Sequence, residues 1–124
     1  MSTVLIIEDN EKNMKLARDV LQAKGYQTLE AVTGEEGVKL AKEKGADLVL
    51  MDIQLPGING IEAFKQIRGD AKTARIPVVA LTASVTPTDR SAITAAGFDA
   101  FIGKPINLKE FLDTVQRRLE AGRA

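Results

Sequence analysis

The sequence predicts an α/β domain built on a five-stranded parallel sheet of order 2-1-3-4-5, with helices on both faces. Three observations carry that expectation. Apolar runs rich in β-branched residues recur at positions 4–7, 48–51 and 78–81, each too short for a helix. Helical patterns with marked ends fill the gaps between them. Strand and helix signals alternate strictly, and right-handed crossovers then leave a parallel sheet covered on both sides.

The three continuous runs suit interior strands, because only a strand buried on both faces has no polar alternation. Around 27–31 the pattern changes, with Thr28 and Glu30 alternating with Leu29 and Ala31, as expected of a half-exposed edge. A short stretch at 99–102 supplies the opposite edge. Helices are expected to start at Asn10, Thr33, Asn59, Thr86 and Asn107, whose side chains can accept from a free first-turn N–H. Acidic residues follow at the third helical position in four of them: Glu36, Glu62, Asp89 and Glu110. Pro87 suits the first helical position after Thr86. Gly25, Gly45, Gly69, Gly97 and Gly122 are expected to close the helices in the left-handed conformation. In the last helix Leu108, Phe111, Leu112, Val115 and Leu119 form one apolar stripe. The first helix turns Lys12, Lys15, Asp19 and Gln22 outward, with Met14 and Leu16 expected at the edges of its apolar face.

Composition narrows the chemistry. The 124 residues fit one domain, with no output domain expected. Lysine plus arginine balances aspartate plus glutamate at 17 each, which gives no electrostatic case for nucleic acid or a membrane surface as partner. The absence of cysteine excludes disulfides and thiol chemistry, and the absence of histidine excludes a histidine base or metal ligand. The amino terminus lacks the pattern of a signal peptide, and no apolar run approaches the ~18 residues that span a bilayer, so the expected location is the cytoplasm.

The order 2-1-3-4-5 puts its topological switch between strands one and three, so a site belongs at their carboxyl ends. The residues leaving the strands there are Glu8 and Asp9, then Asp52, then Thr82, then Lys104 with Pro105. Taken singly they have plain readings: Asp52 as a turn residue, Glu8 and Asp9 as helix-start charges, Lys104 as a solvated loop lysine. Taken together they place three carboxylates, a hydroxyl and an ammonium on one rim. Carboxylates crowded in this way repel one another unless one is protonated or a cation relieves them. An oxygen-only donor set favours Mg²⁺ or Mn²⁺. A carboxylate beside such a cation, with lysine and hydroxyl opposite, can receive a phosphoryl group.

At this point the sequence resembles the receiver domain of two-component response regulators. The likeness rests on Val-Leu-Ile-Ile-Glu-Asp-Asn at 4–10, Leu-Val-Leu-Met-Asp-Ile-Gln-Leu-Pro-Gly-Ile-Asn-Gly at 48–60, Ala-Leu-Thr-Ala at 80–83 and Lys104-Pro105. It covers essentially the whole chain and looks most like the single-domain, cell-cycle or chemotaxis type, or the receivers of hybrid kinases. The resemblance implies a flavodoxin-like (βα)5 fold and Asp52 as acceptor of a phosphoryl group from the phosphohistidine of a sensor kinase or histidine phosphotransfer protein. Glu8, Asp9, Asp52 and the backbone carbonyl of Gln54 would hold Mg²⁺. Thr82 and Lys104 would bind the phosphoryl group, Phe101 would be the rotating switch residue, and Pro105 a cis-peptide candidate. Gln54 and Ser84 would flank the site and tune slow autodephosphorylation. A downstream protein target would dock on the face made by residues 86–96, 99–102 and 107–121, while kinases of the family dock near the first helix.

Two other functions fit the same residues less well. An aspartyl-nucleophile phosphatase of the haloacid-dehalogenase type needs a second aspartate two positions after the nucleophile, where this chain has Gln54. A never-phosphorylated adaptor would have no need of the full rim.

Overall fold

The computed structural model describes residues 2–55, 57–83 and 87–122. Ten elements alternate along them: β1 (Thr3–Ile7), α1 (Glu11–Ala23), β2 (Gln27–Ala31), α2 (Gly34–Lys44), β3 (Leu48–Asp52), α3 (Gly60–Gly69), β4 (Val78–Thr82), α4 (Pro87–Ala96), β5 (Ala100–Gly103) and α5 (Leu108–Gly122). All neighbouring strands pair in parallel, in the order β2-β1-β3-β4-β5. The architecture is the one expected from the alternation of runs.

Strand alternation explains how one sheet supports two cores. Val4, Ile6, Leu48, Leu50, Val79, Leu81 and Ile102 face α1 and α5, where Met14, Ala17, Leu21, Phe111, Val115 and Leu119 meet them. Leu5, Ile7, Val49, Met51, Val78 and Ala80 face the other way, onto Val38 and Ala41 of α2, Ala63, Phe64 and Ile67 of α3, and Ile93 of α4. Each large aliphatic chain fully withdrawn from water contributes ~1.5–3 kcal/mol against the entropy of ordering it. Helix α2 packs unusually close. A Cβ on Gly37 would stand 2.6 Å from Cγ1 of Ile7, so only glycine lets this helix reach the sheet.

The helix starts form as expected wherever they are described. Asn10 accepts from the N–H groups of Lys12 and Asn13, Thr33 from that of Glu36, Asn59 from that of Glu62, and Asn107 from that of Glu110. Pro87 opens α4, whereas Thr86 lies outside the described residues. Gly25, Gly45 and Gly97 take positive φ, as a left-handed closure requires.

Gly69 does not. It is the last residue of α3 and has no positive φ, and the cap is Asp70 in an extended conformation. The physical reason lies downstream: the hydroxyl of buried Thr73 donates to the carbonyl of Ile67 at 2.6 Å, occupying an acceptor that a glycine turn would otherwise satisfy. Two smaller expectations also shift. Met14 is buried in the α1–sheet core rather than at its edge, and β5 begins at Ala100, one residue later than expected. Asp99 is instead used by its side chain, which accepts from Arg68 and from the N–H of Val78. Gly122 is still helical at the end of α5.

Candidate functional site

The acidic centre is assembled by strands that stop together. In the sheet register Asp52 pairs with Leu81 and Thr82 with Gly103, so β4 and β5 end level with each other and one residue beyond the end of β3. Glu8 continues the line of β1, held by its N–H on the carbonyl of Ala31 at 3.0 Å. Its side chain is 1% exposed and Asp52 is 5% exposed, whereas Asp9 faces solvent. One carboxylate oxygen from each of Glu8, Asp9 and Asp52 lies within 4.8 Å of the other two.

Lys104 answers part of that charge. Its ammonium donates to Oε1 of Glu8 at 2.7 Å and to Oδ2 of Asp52 at 2.9 Å. The remaining oxygens are used as well: the N–H of Asn10 reaches Oε2 of Glu8 at 3.2 Å, and the N–H of Gln54 reaches Oδ1 of Asp52 at 3.0 Å. Asp52 is thus pinned from both sides by donors that fix its rotamer.

Three carboxylates against one ammonium leave an excess of negative charge in a partly buried space. Two full charges 4.8 Å apart repel by roughly 3–4 kcal/mol at an effective dielectric near 20. The excess shows in Glu8, whose pKa is pushed up to about 7, first by burial and then by its hydrogen bond and repulsion with Asp52, with Lys104 pulling the other way. Burial alone would depress the Lys104 ammonium, yet its two carboxylate partners outweigh that and raise it above the ordinary lysine value. A divalent cation fits this donor set: the cluster is oxygen-only, anionic beyond what Lys104 neutralises, and includes exposed Asp9 as an entry point.

The other expected residues fall around the centre. Thr82 is buried at the end of β4, and its carbonyl accepts from the Lys104 N–H at 2.8 Å. The Lys104–Pro105 peptide is cis, as expected. Phe101, opposite Ala80 in the sheet, is partly buried against the core that α4 covers. The Gln54 side chain is exposed beside Asp52. Ser84 lies outside the described residues, as does Pro56.

Two contributors escape sequence reasoning. Gly60, the first residue of α3, sits directly under the phosphoacceptor candidate's backbone: a Cβ there would meet the carbonyl oxygen of Asp52 and stand 2.7 Å from Cα of Ile53. The N–H of Gly60 closes that turn onto the carbonyl of Ile53 at 2.9 Å. The only signal in the chain was a glycine at a helix start, where asparagine had already taken the cap. The second is the bridge from Lys104 to Glu8 as well as Asp52, which no linear spacing reveals.

A profile of the response regulator receiver domain matches residues 4–116. The chain belongs to the response regulator receiver family. Among curated relatives it is 44% identical over 117 residues to the polar-differentiation response regulator DivK of Brucella ovis, covering 94% of this chain and 95% of that one. Among solved structures it superimposes with a TM-score of 0.90, at 30% identity, on the receiver domain of a sensor histidine kinase from Pseudomonas aeruginosa, which carries a magnesium ion in its active-site cleft. That match covers 96% of this chain and 98% of the other. A chemotaxis response regulator of Vibrio cholerae superimposes with a TM-score of 0.89 at 27% identity, over 94% of this chain and 98% of that one. Receivers are phosphoacceptor signalling proteins of two-component systems, and this receiver is one of them. No helix among its described residues is long and apolar enough to cross a membrane.

Proposed function

We propose that Asp52 accepts a phosphoryl group from a phosphohistidine on a sensor kinase or histidine phosphotransfer protein, and that the change is read by a protein bound to the α4–β5–α5 face. The observation that carries this reading is the position of Asp52. It is 5% exposed at the end of β3, held by Lys104 at 2.9 Å, with the Glu8 and Asp9 carboxylates close by. In the transfer an Asp52 oxygen bonds to phosphorus as the phosphorus–nitrogen bond breaks, and the bonding pair returns to the imidazole, which is then protonated. Little covalent help is needed for such a loose transition state; positioning and charge neutralisation dominate.

Glu8, Asp9, Asp52 and the Gln54 carbonyl would hold Mg²⁺ or Mn²⁺, which when bound offsets the charge on the phosphoryl oxygens. The chain's own residues do the rest. Hydrogen bonds from Gln54 N–H and Lys104 aim the Asp52 carboxylate. Lys104 then turns from the two carboxylates to the phosphoryl oxygens, and Thr82 moves toward them from the end of β4. Phe101 follows into the space that Thr82 vacates, which converts a local charge into a changed surface. Slow autodephosphorylation returns the receiver to its resting state, with the exposed Gln54 side chain at the path of the attacking water. A polar-differentiation role, as named for the Brucella relatives, suits an output made by protein contact.

The test is the intact mass after incubation with acetyl phosphate and Mg²⁺. The wild-type chain gains the mass of one phosphoryl group, and Asp52→Asn gains none. An unchanged wild-type mass, under conditions that modify another receiver, would sink the reading.

A further inference from the structure

The geometry points to a specific anchor on the output face: we propose that the notch lined by Ala100, Thr114, Arg117, Arg118 and Ala121 receives a glutamate or aspartate side chain from an acidic segment of a protein partner. The inference rests on the reading of β5 and α5 as the output face and adds the chemistry of what binds there.

The notch has a volume of about 340 Å³, room for one or two side chains rather than a large ligand. Small residues help make the space: Ala100 at the start of β5 and Thr114 and Ala121 on α5 line it together with the two arginines. Among the described residues no carboxylate lines it, whereas the groove beside the acidic centre mixes Glu8, Asp9, Glu11 and Glu30 with Lys15 and Arg18.

Neither arginine has an ion pair or hydrogen bond among the described residues, although Arg118 is partly buried. Elsewhere this chain uses its partly buried arginines: Arg18 holds Glu30 at 3.1 Å, and Arg68 holds Asp99 and two backbone carbonyls. A guanidinium offers five N–H donors in a fork shaped for carboxylate, and withdrawing them partly from water without an acceptor is unfavourable. The helix dipole does not account for the pair, since its effect is confined to the last turn and the last turn of α5 has no basic residue. Alanine methyls beside the charges suit an acid carried on a methylene stem better than a bare inorganic anion. Ala100 also precedes Phe101 in β5, so an occupant would touch the strand that carries the switch residue.

The experiment titrates the ¹⁵N-labelled receiver with a synthetic peptide of alternating Glu and Leu, its Gln-for-Glu counterpart, and inorganic phosphate. The acidic peptide is expected to give saturable shifts at Ala100, Thr114, Ala121 and the two arginine Nε–H groups, weakened by salt. The double variant Arg117→Gln/Arg118→Gln should bind it at least roughly tenfold more weakly, and Arg117→Lys/Arg118→Lys should restore part of the loss. Absence of localised shifts, equal binding of the Gln peptide or of phosphate, an unaffected Gln variant, or shifts arising from self-association of the receiver would each overturn the proposal. Intact-mass phosphorylation of the Gln variant is measured alongside. Gain of the phosphoryl mass there keeps the Asp52 reading intact whatever the peptide does, and its failure in wild type as well would strike that reading alone.

Discussion

Replacing Glu8 by glutamine should stabilise the metal-free receiver at alkaline pH while removing its response to Mg²⁺. Glu8 is buried, and its pKa stands at about 7 against an ordinary 4.5. The folded state therefore holds a proton that the unfolded chain has already released, and stability falls as pH rises from 4.5 through about 7. The gap of about 2.5 units (7 − 4.5) corresponds to at most roughly 3 kcal/mol, fully developed above the folded pKa. Glutamine has no such charge to bury, but it loses part of the hydrogen bonding to Lys104 and Asn10, at a cost of ~1 kcal/mol. The variant should be slightly less stable than wild type near about pH 4.5 and more stable by ~2 kcal/mol near about pH 8. Urea denaturation in EDTA across that range reads the difference directly. A glutamine variant less stable than wild type at the alkaline end, or a difference that does not change with pH, would refute the strain assigned to this carboxylate.

Other outcomes follow from the same contacts. Mg²⁺ should raise the midpoint of urea unfolding of the wild-type receiver, and Asp9→Asn, at an exposed position, should fold normally yet lose most of that effect in the same titration. Gly60→Ala should lower both stability, by ~1–3 kcal/mol, and the rate of acetyl-phosphate labelling per folded molecule, because the added methyl must displace the Asp52 carbonyl; calorimetry and a labelling time course separate the two. Arg68→Met should cost ~2–3 kcal/mol in chemical denaturation, since it abandons the Asp99 carboxylate and the carbonyls of Ala74 and Ile76, while leaving labelling of Asp52 unchanged.

The sheet was legible because its strands announce themselves. Residues 48–51 and 78–81 are apolar on both faces, which only an interior parallel strand requires, and Asp52 and Thr82, still buried, mark where the apolar run ends. The rim was legible for the same reason: each strand end names its next residue, and topology brings those residues to one edge of the sheet. What stayed hidden depends on approach in the third dimension. Nothing near Gly69 shows that Thr73 will take the Ile67 carbonyl and make a glycine closure unnecessary. Gly37 and Gly60 read as flexible helix residues, yet each is required by an atom of a strand distant or antecedent in the chain, Ile7 in one case and Asp52 in the other. The ion pair of Lys104 with Glu8 joins residues 96 positions apart, and Arg68 with Asp99 joins a helix to the entry of β5. Such pairs are set by the register of the sheet, which a pattern of apolar runs constrains only once the fold is known.

The central claim is that the carboxylate of Asp52, and no other in the chain, carries the phosphoryl group. Borohydride reduction tests it most directly, because it converts an aspartyl phosphate to homoserine and leaves free carboxylates alone. After labelling with acetyl phosphate and Mg²⁺ and reduction, peptide mass mapping should find homoserine at position 52 alone. Homoserine at position 9, or at any position other than 52, would contradict the account.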